Sequence, residues 1–168
     1  MKTYYNKKFG VGRWSNAETL NLAIGQGANS QTVVNMAKFY TALATDGRAA
    51  QPMIAKGTPV RKQIFHLTEA QDSAVRAALA GVVEAGGTAA ASAIQGVVLA
   101  GKTGTAQNPG KADHGWFVGF APADKPKIVV AVLLEFGQHG SRAAHIASAI
   151  IAHYLKVQPV ADALETGG

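Results

Sequence analysis

Apolar residues recur at intervals of three and four where Val33, Met36, Ala37, Tyr40 and Ala44 fall on one stripe. That period predicts an amphipathic helix, and Asp46-Gly47 supplies its stop. A second stripe, Val75, Ala78, Leu79, Val82 and Val83, follows Thr68-Glu69-Ala70-Gln71, which has the spacing of a capping box. Gly86-Gly87 is expected to end this second helix. The period then shortens. Residues 97–100 read as a strand leading into Gly101-Lys102-Thr103, and HGWFVGFAP and KIVVAVLLEF read as two strands joined by residues 121–126 in an antiparallel hairpin. Ser141 is expected to cap a last helix whose apolar face is Ala143, Ile146, Ala147, Ile150, Ile151 and Tyr154. The first 27 residues, punctuated by Gly10, Gly12, Gly25 and Gly27, show no sustained period and read as loops with a short helix. Residues 49–65 carry two prolines and read as an irregular or short-stranded connection, and residues 157–168 as a frayed tail. Helices, then three strands, then a helix make an α+β layout.

Composition narrows the function classes more than it changes this layout. At 168 residues, 48% of them hydrophobic and 15% charged, the chain reads as one folded domain with a sizeable core. The net charge of +6 permits anionic partners. Its basic residues are scattered, however: Lys2, Lys7, Lys8 and Arg13 near the start, Lys56, Arg61 and Lys62 in the middle. Without a basic and aromatic stripe, nucleic acid is not an expected partner. The absence of cysteine excludes thiolate chemistry, disulfides and cysteine zinc sites. The five histidines form no HExxH, so no metal is expected. The longest apolar run, residues 128–134, is too short to span a bilayer, and MKTYYNKKFG has no apolar core of a signal peptide.

Two motifs overlap in GVVLAGKTGTAQNPG. Gly96, four residues and then Gly101-Lys102-Thr103 spell a phosphate-binding loop. That loop needs a strand before the first glycine and a helix starting at the lysine. Here the four intervening residues, Val97, Val98, Leu99 and Ala100, are themselves strand-like. Beyond the motif, Gly104 and Pro109 both oppose a helix. The nucleotide hydrolase reading is therefore set aside.

Lys102-Thr103-Gly104 is also the lysine motif of penicillin-inhibited serine acyltransferases. On a strand, side chains alternate, so Thr103 and Thr105 share one face and can hydrogen-bond a carboxylate together. Lys102 and Gly104 take the other face. There the lysine, expected on the buried side, would place a fixed positive charge beside the reacting centre. Gly104 would let an acyl chain lie against the backbone, and the Thr105 amide could supply one donor of an oxyanion hole.

The strings NLAIGQG, LAGKTGTAQNPG, HGWFVGFAPADKPKIVVAVLLEFGQHG and AAHIASAII, in this order over residues 5–155, resemble the class B penicillin-binding proteins, and among them the elongation type. The resemblance implies the C-terminal part of the penicillin-binding protein/serine β-lactamase-like transpeptidase fold. Three antiparallel strands, the motif strand plus the hairpin, would pack with helices. It implies a D,D-transpeptidase that cross-links peptidoglycan stem peptides ending in D-Ala-D-Ala through a serine acyl-enzyme and is acylated by β-lactams. Such a parent protein uses no cofactor, is anchored in the cytoplasmic membrane and holds its catalytic domain outside it. By resemblance Lys102 is the catalytic motif lysine, Thr103, Gly104 and Thr105 are the substrate-binding set, and the Thr105 backbone N–H is the catalytic oxyanion donor.

Two elements of that family's pattern, Ser-x-x-Lys and Ser-x-Asn, are missing. Its nucleophile lies in Ser-x-x-Lys, and none of Ser15, Ser30, Ser73, Ser92, Ser141 and Ser148 has a lysine three residues on. Tyr4-Tyr5-Asn6 spells the tyrosine variant of the Ser-x-Asn element but stands too close to FGVGRW to be it. The expectation is a chain that supplies the lysine strand of a transpeptidase and is inactive alone. Its exposed apolar faces would pair with the missing N-terminal half of the domain or with another copy. A nucleophile-free pseudoenzyme or interaction module is the alternative, and a β-lactamase fragment a further one.

Overall fold

The computed structural model describes residues 2–158, and these divide into two compact units that part between Gln31 and Thr32. The expected frayed tail begins within the described chain, but its residues 159–168 lie outside it. Two short helices make the first unit, α1 (Lys2–Phe9) and α2 (Asn16–Ala23). Only one was expected, because neither carries an apolar period long enough to register. Their order comes from local devices instead. Ser15 caps α2 by accepting from the Glu18 amide at 3.3 Å. Trp14 packs edge-on against Tyr5 and Phe9, with ring centroids 4.9 and 5.7 Å away, and its Nε1 donates to Thr19 at 2.9 Å.

The second unit holds α3 (Val33–Leu43), β1 (Arg48–Ala50), β2 (Arg61–Gln63), α4 (Glu69–Ala80), β3 (Ala100–Ala106), β4 (His114–Ala121), β5 (Ile128–Leu134) and α5 (Gly140–Leu155). β1 and β2 pair antiparallel, so the proline-bearing connection is short-stranded. α4 begins at the capping box, where Thr68 accepts from the Gln71 amide at 3.3 Å and Gln71 Oε1 accepts from the Thr68 amide at 2.9 Å. The helix ends earlier than Gly86-Gly87 suggests. It tightens into a 3₁₀ turn at Gly81–Val83, which keeps Val82 buried while the chain turns toward the sheet.

The main sheet is antiparallel in the order β3-β4-β5, with Thr103 opposite Phe117 and Phe117 opposite Val132. The expected hairpin of β4 and β5 is present. β3 starts three residues later than expected, at Ala100, because Val97 closes a small bridge with Ile94 around Gly96. One face of the sheet, with Leu99, Phe117, Ala121 and Val130, is covered by α5. The opposite face, with Ala100, Val118 and Phe120, is covered by α3 and the end of α4 through Tyr40, Ala44 and Leu79.

Two expectations for α5 are corrected. Ser141 is not its cap: the helix starts at Gly140 after an N-cap His139 that makes no side-chain capping bond. Nor is the whole of its expected apolar face buried, only the half made of Ala143, Ala147 and Ile151. Ala143, Ala144, Ala147, Ser148, Ile151 and Ala152 are buried, whereas Ile146, Ile150 and Tyr154 are exposed. The helix rotates its small residues inward because it lies almost on the sheet backbone. A Cβ on Gly140 would come 2.7 Å from the carbonyl oxygens of Gly104 and Trp116. Only glycine fits there.

Candidate active site

β3 is one of the two edge strands of the sheet, so the motif residues stand at a border rather than inside a layer. The strand is regular from Ala100 to Ala106, and Gly101-Lys102-Thr103 runs through its middle. A phosphate-binding loop would need a helix to begin here, so the backbone excludes that alternative. Thr103 lies opposite Phe117 and Thr105 opposite Gly115, which puts both threonines on the α5 face. Lys102 and Gly104 lie opposite Val118 and Trp116, on the α3 face.

The lysine departs from expectation. Lys102 is exposed, and its Nζ turns back to donate to the Thr103 carbonyl at 2.8 Å. At a sheet edge the long stem reaches past the end of the covered layer, so the ammonium stays in water. The missing Cβ of Gly104 points at the Trp116 side chain, 3.3 Å away, so its free space lies on the lysine face. Thr103 and Gly104 are half-buried and Thr105 is exposed. An edge strand also leaves alternate backbone N–H groups unpaired with its neighbour, the kind of donor an oxyanion hole uses.

Behind the threonines the motif strand is held by backbone, not by side chains. The start of α5 abuts the backbone of Gly104 and Trp116 at Gly140. Just before it, the His139 carbonyl comes within 2.5 Å of where a Gly115 Cβ would stand. The loop before α5 is itself tied down: the Gln138 amide donates to the Asp113 carbonyl at 2.9 Å, and the Phe136 amide to His114 Nδ1 at 3.1 Å. These contacts fix the height of Gly104 and Thr105 above the helix.

Sequence reasoning missed one side chain that meets the motif directly. Thr88 and Thr103 bring their hydroxyl oxygens to 2.6 Å. Thr88 sits in the loop after the 3₁₀ turn, fifteen residues before Thr103 in the chain. The signal that could have found it is Gly86-Gly87, which by sequence alone reads only as a helix stop. Thr88 also lines a cleft of about 670 Å³ together with Arg142, His145 and Ile146 of α5. Lys102, Thr103 and Thr105 do not line that cleft. Among the described residues no cluster of histidine, aspartate and glutamate could hold a metal, and no helix is long and apolar enough to cross a membrane.

Residues 4–153 match the penicillin binding protein transpeptidase domain family. The peptidoglycan D,D-transpeptidase MrdA of Acinetobacter baumannii is 32% identical over 169 residues, covering 85% of this chain and 25% of that protein. The chain thus spans about a quarter of the length of the curated relatives it matches. Penicillin-binding protein 2 of Pseudomonas aeruginosa, solved in complex with WCK 5153, superposes with a TM-score of 0.75 at 31% identity, over 99% of this chain and 38% of that one. Penicillin-binding protein A of M. tuberculosis, solved as an imipenem acyl-enzyme complex, gives a TM-score of 0.68 at 27% identity, over 80% and 33% of the two chains.

Proposed function

Because the chain belongs to the penicillin binding protein transpeptidase family, of class B and fitting its penicillin-binding protein 2 branch, we propose that it is the C-terminal portion of a peptidoglycan D,D-transpeptidase domain and supplies that enzyme's carboxylate- and oxyanion-binding strand. The serine nucleophile comes from the other half of the domain, joined to this chain in a parent polypeptide that acts outside the cytoplasmic membrane. Thr103 and Thr105 hold the terminal carboxylate of a D-Ala-D-Ala stem peptide or of a β-lactam. The Thr105 amide donates to the carbonyl oxygen as it becomes an oxyanion, and Gly104 keeps the strand narrow beside the acyl chain. Lys102, exposed in this chain, provides the positive charge of the acylation centre once the nucleophile-bearing half covers it. Excluding water there strengthens its field at the reacting atoms.

One observation supports this reading above the others: Lys102, Thr103 and Thr105 stand on a regular edge strand with the two hydroxyl-bearing side chains on one face. A two-step acyl transfer needs the nucleophile, and no Ser-x-x-Lys occurs in these 168 residues. The chain by itself is therefore expected to give no covalent adduct with a fluorescent penicillin. In the parent polypeptide, Lys102→Ala should slow acylation on the order of a hundredfold, the size of losing one preorganised electrostatic group. Acylation at the unaltered rate in Lys102→Ala would sink the role given to the lysine. A parent with no Ser-x-x-Lys anywhere would leave a binding or assembly module instead of an enzyme.

A further inference from the structure

The hydroxyl contact between Thr88 and Thr103 has a direction that its chemistry decides. A hydroxyl has one proton to give and two lone pairs to accept with, while a carboxylate only accepts. If Thr103 gives its proton to a carboxylate, it can bond to Thr88 only as acceptor, so Thr88 must be the donor. Two hydroxyls aligned in series polarise each other, and the outer one becomes the better donor. In the reverse direction Thr103 would spend its proton on Thr88 and meet the carboxylate with lone pairs.

The loop that carries Thr88 is built to hold it. The Gly87 amide donates to the Glu84 carbonyl at 2.8 Å and the Ala89 amide to the Val82 carbonyl at 2.9 Å, so the segment is strapped on both sides of Thr88 to the 3₁₀ turn and the residue that follows it. A Cβ at Gly87 would run into the carbonyl oxygens of Gly81 and Val82. Ala89 is buried directly after it. Thr88 is thereby an exposed hydroxyl on an anchored loop, where its side chain contributes little to the core.

We propose that Thr88 is a positioning residue: it donates to the Thr103 hydroxyl and so orients the Thr103 proton toward the carboxylate of the incoming substrate or β-lactam. This rests on the carboxylate-binding role proposed for Thr103. The experiment uses the parent polypeptide and two probes, a β-lactam with its free ring carboxylate and the same compound as its methyl ester. Thr103→Val should lower the acylation rate for the acid and spare the ester. Thr88→Val should do the same by about fivefold, the size of one hydrogen bond, and Thr88→Ser should restore the acid rate. Discrimination by Thr103→Val with none by Thr88→Val overturns the positioning role alone. Equal losses for acid and ester in Thr88→Val, or a faster acid reaction, also overturn it: the first reveals a general structural role, the second a Thr88 that competes for the Thr103 proton. If Thr103→Val does not discriminate either, the carboxylate reading falls and this inference falls with it.

Discussion

Against one face of the β3–β5 sheet, α5 lays Ala143, Ala144, Ala147 and Ala152; against the other, α3 and α4 lay Tyr40, Leu43 and Leu79. The alanine face brings the helix backbone nearly onto the sheet backbone. The opposite face keeps its helices at the distance that Phe120 and Tyr40 require, and a side chain closes the gap at its border. Arg76 of α4 donates from Nε to Asp72 at 2.8 Å and from its two Nη atoms to the carbonyls of Ala123 and Thr45, both at 3.1 Å. Its guanidinium also lies 5.7 Å from the centre of the Phe120 ring. The motif strand belongs to both systems. Thr103 and Thr105 rest on the close-packed side and Lys102 on the side-chain side, so the threonines have a fixed height and the lysine has latitude. A group that must meet a carboxylate in one geometry gains from the first arrangement. A point charge on a flexible stem tolerates the second.

Breaking the alanine side should have the larger effect. Gly140→Ala adds one methyl where the nearest atoms are backbone, 2.7 to 2.8 Å away, and neither partner can turn aside as a side chain would. Helix propensity favours alanine by up to about 1 kcal/mol, but overpacking against backbone costs roughly 1–3 kcal/mol or more, so the clash wins. Urea unfolding of the chain should show a net loss of about 2 kcal/mol. Acylation of the parent should fall further than that loss of stability accounts for, because Gly104 is one of the groups displaced. Gly81→Ala is the matched control: its nearest contact is a glutamate oxygen at 3.9 Å and its φ is −57°, so stability should hold or rise. Equal stability of the two variants would show that close approach does not position the motif strand.

On the other side Arg76→Ala removes one ion pair and two bonds to carbonyls that hold the end of α3 and the β4–β5 connection to α4. Its side chain is 17% exposed, which protects the bonds from screening more than a surface pair would be. The expected loss is about 1–2 kcal/mol in urea unfolding, with Arg76→Lys recovering little because ammonium cannot reproduce the fork. The acylation rate of the folded parent should stay unchanged, since the clamp touches no motif residue. A rate loss exceeding that of Gly140→Ala would reverse the contrast between the two faces.

Much of this architecture was legible where local chemistry and tertiary packing agree. The capping box at Thr68 and Gln71, the stripe from Val33 to Ala44 and the hairpin were readable because period, cap and turn point the same way. The shared face of Thr103 and Thr105 followed from strand alternation alone. What failed was decided at a distance. On α5, Ile146, Ile150 and Tyr154 looked like part of the core face, yet the start of the helix comes down onto the sheet backbone at Gly115, far away in the chain, and leaves them exposed. Lys102 lost its burial because an edge strand has no layer beyond it, which no pattern within seven residues reveals. For Thr88 the local signal stops at Gly86-Gly87, since its partner Thr103 lies fifteen residues on, beyond the Ile94–Val97 bridge. α1 and α2 are held by Trp14, Ser15 and a ring cluster, devices too short to make a period.

The smallest effect concerns the side-chain face and is read by pH. Tyr40 is 7% exposed, and burial holds its phenol above the ordinary value of 10.0 by penalising the anion. Below that value the folded and unfolded chains both keep the proton, and Tyr40 makes no pH-dependent contribution. As pH rises past it the unfolded chain ionises first, so stability falls until the folded phenol ionises too. Tyr40→Phe removes this dependence and keeps the ring. The stability difference between the two chains, measured by urea unfolding from pH 9 upward, should be flat at first and then shift in favour of the phenylalanine variant. A difference that stays level throughout would mean that Tyr40 ionises as easily folded as unfolded. The α3 face would then be wet at its centre and differ from the alanine face in solvation as well as in spacing.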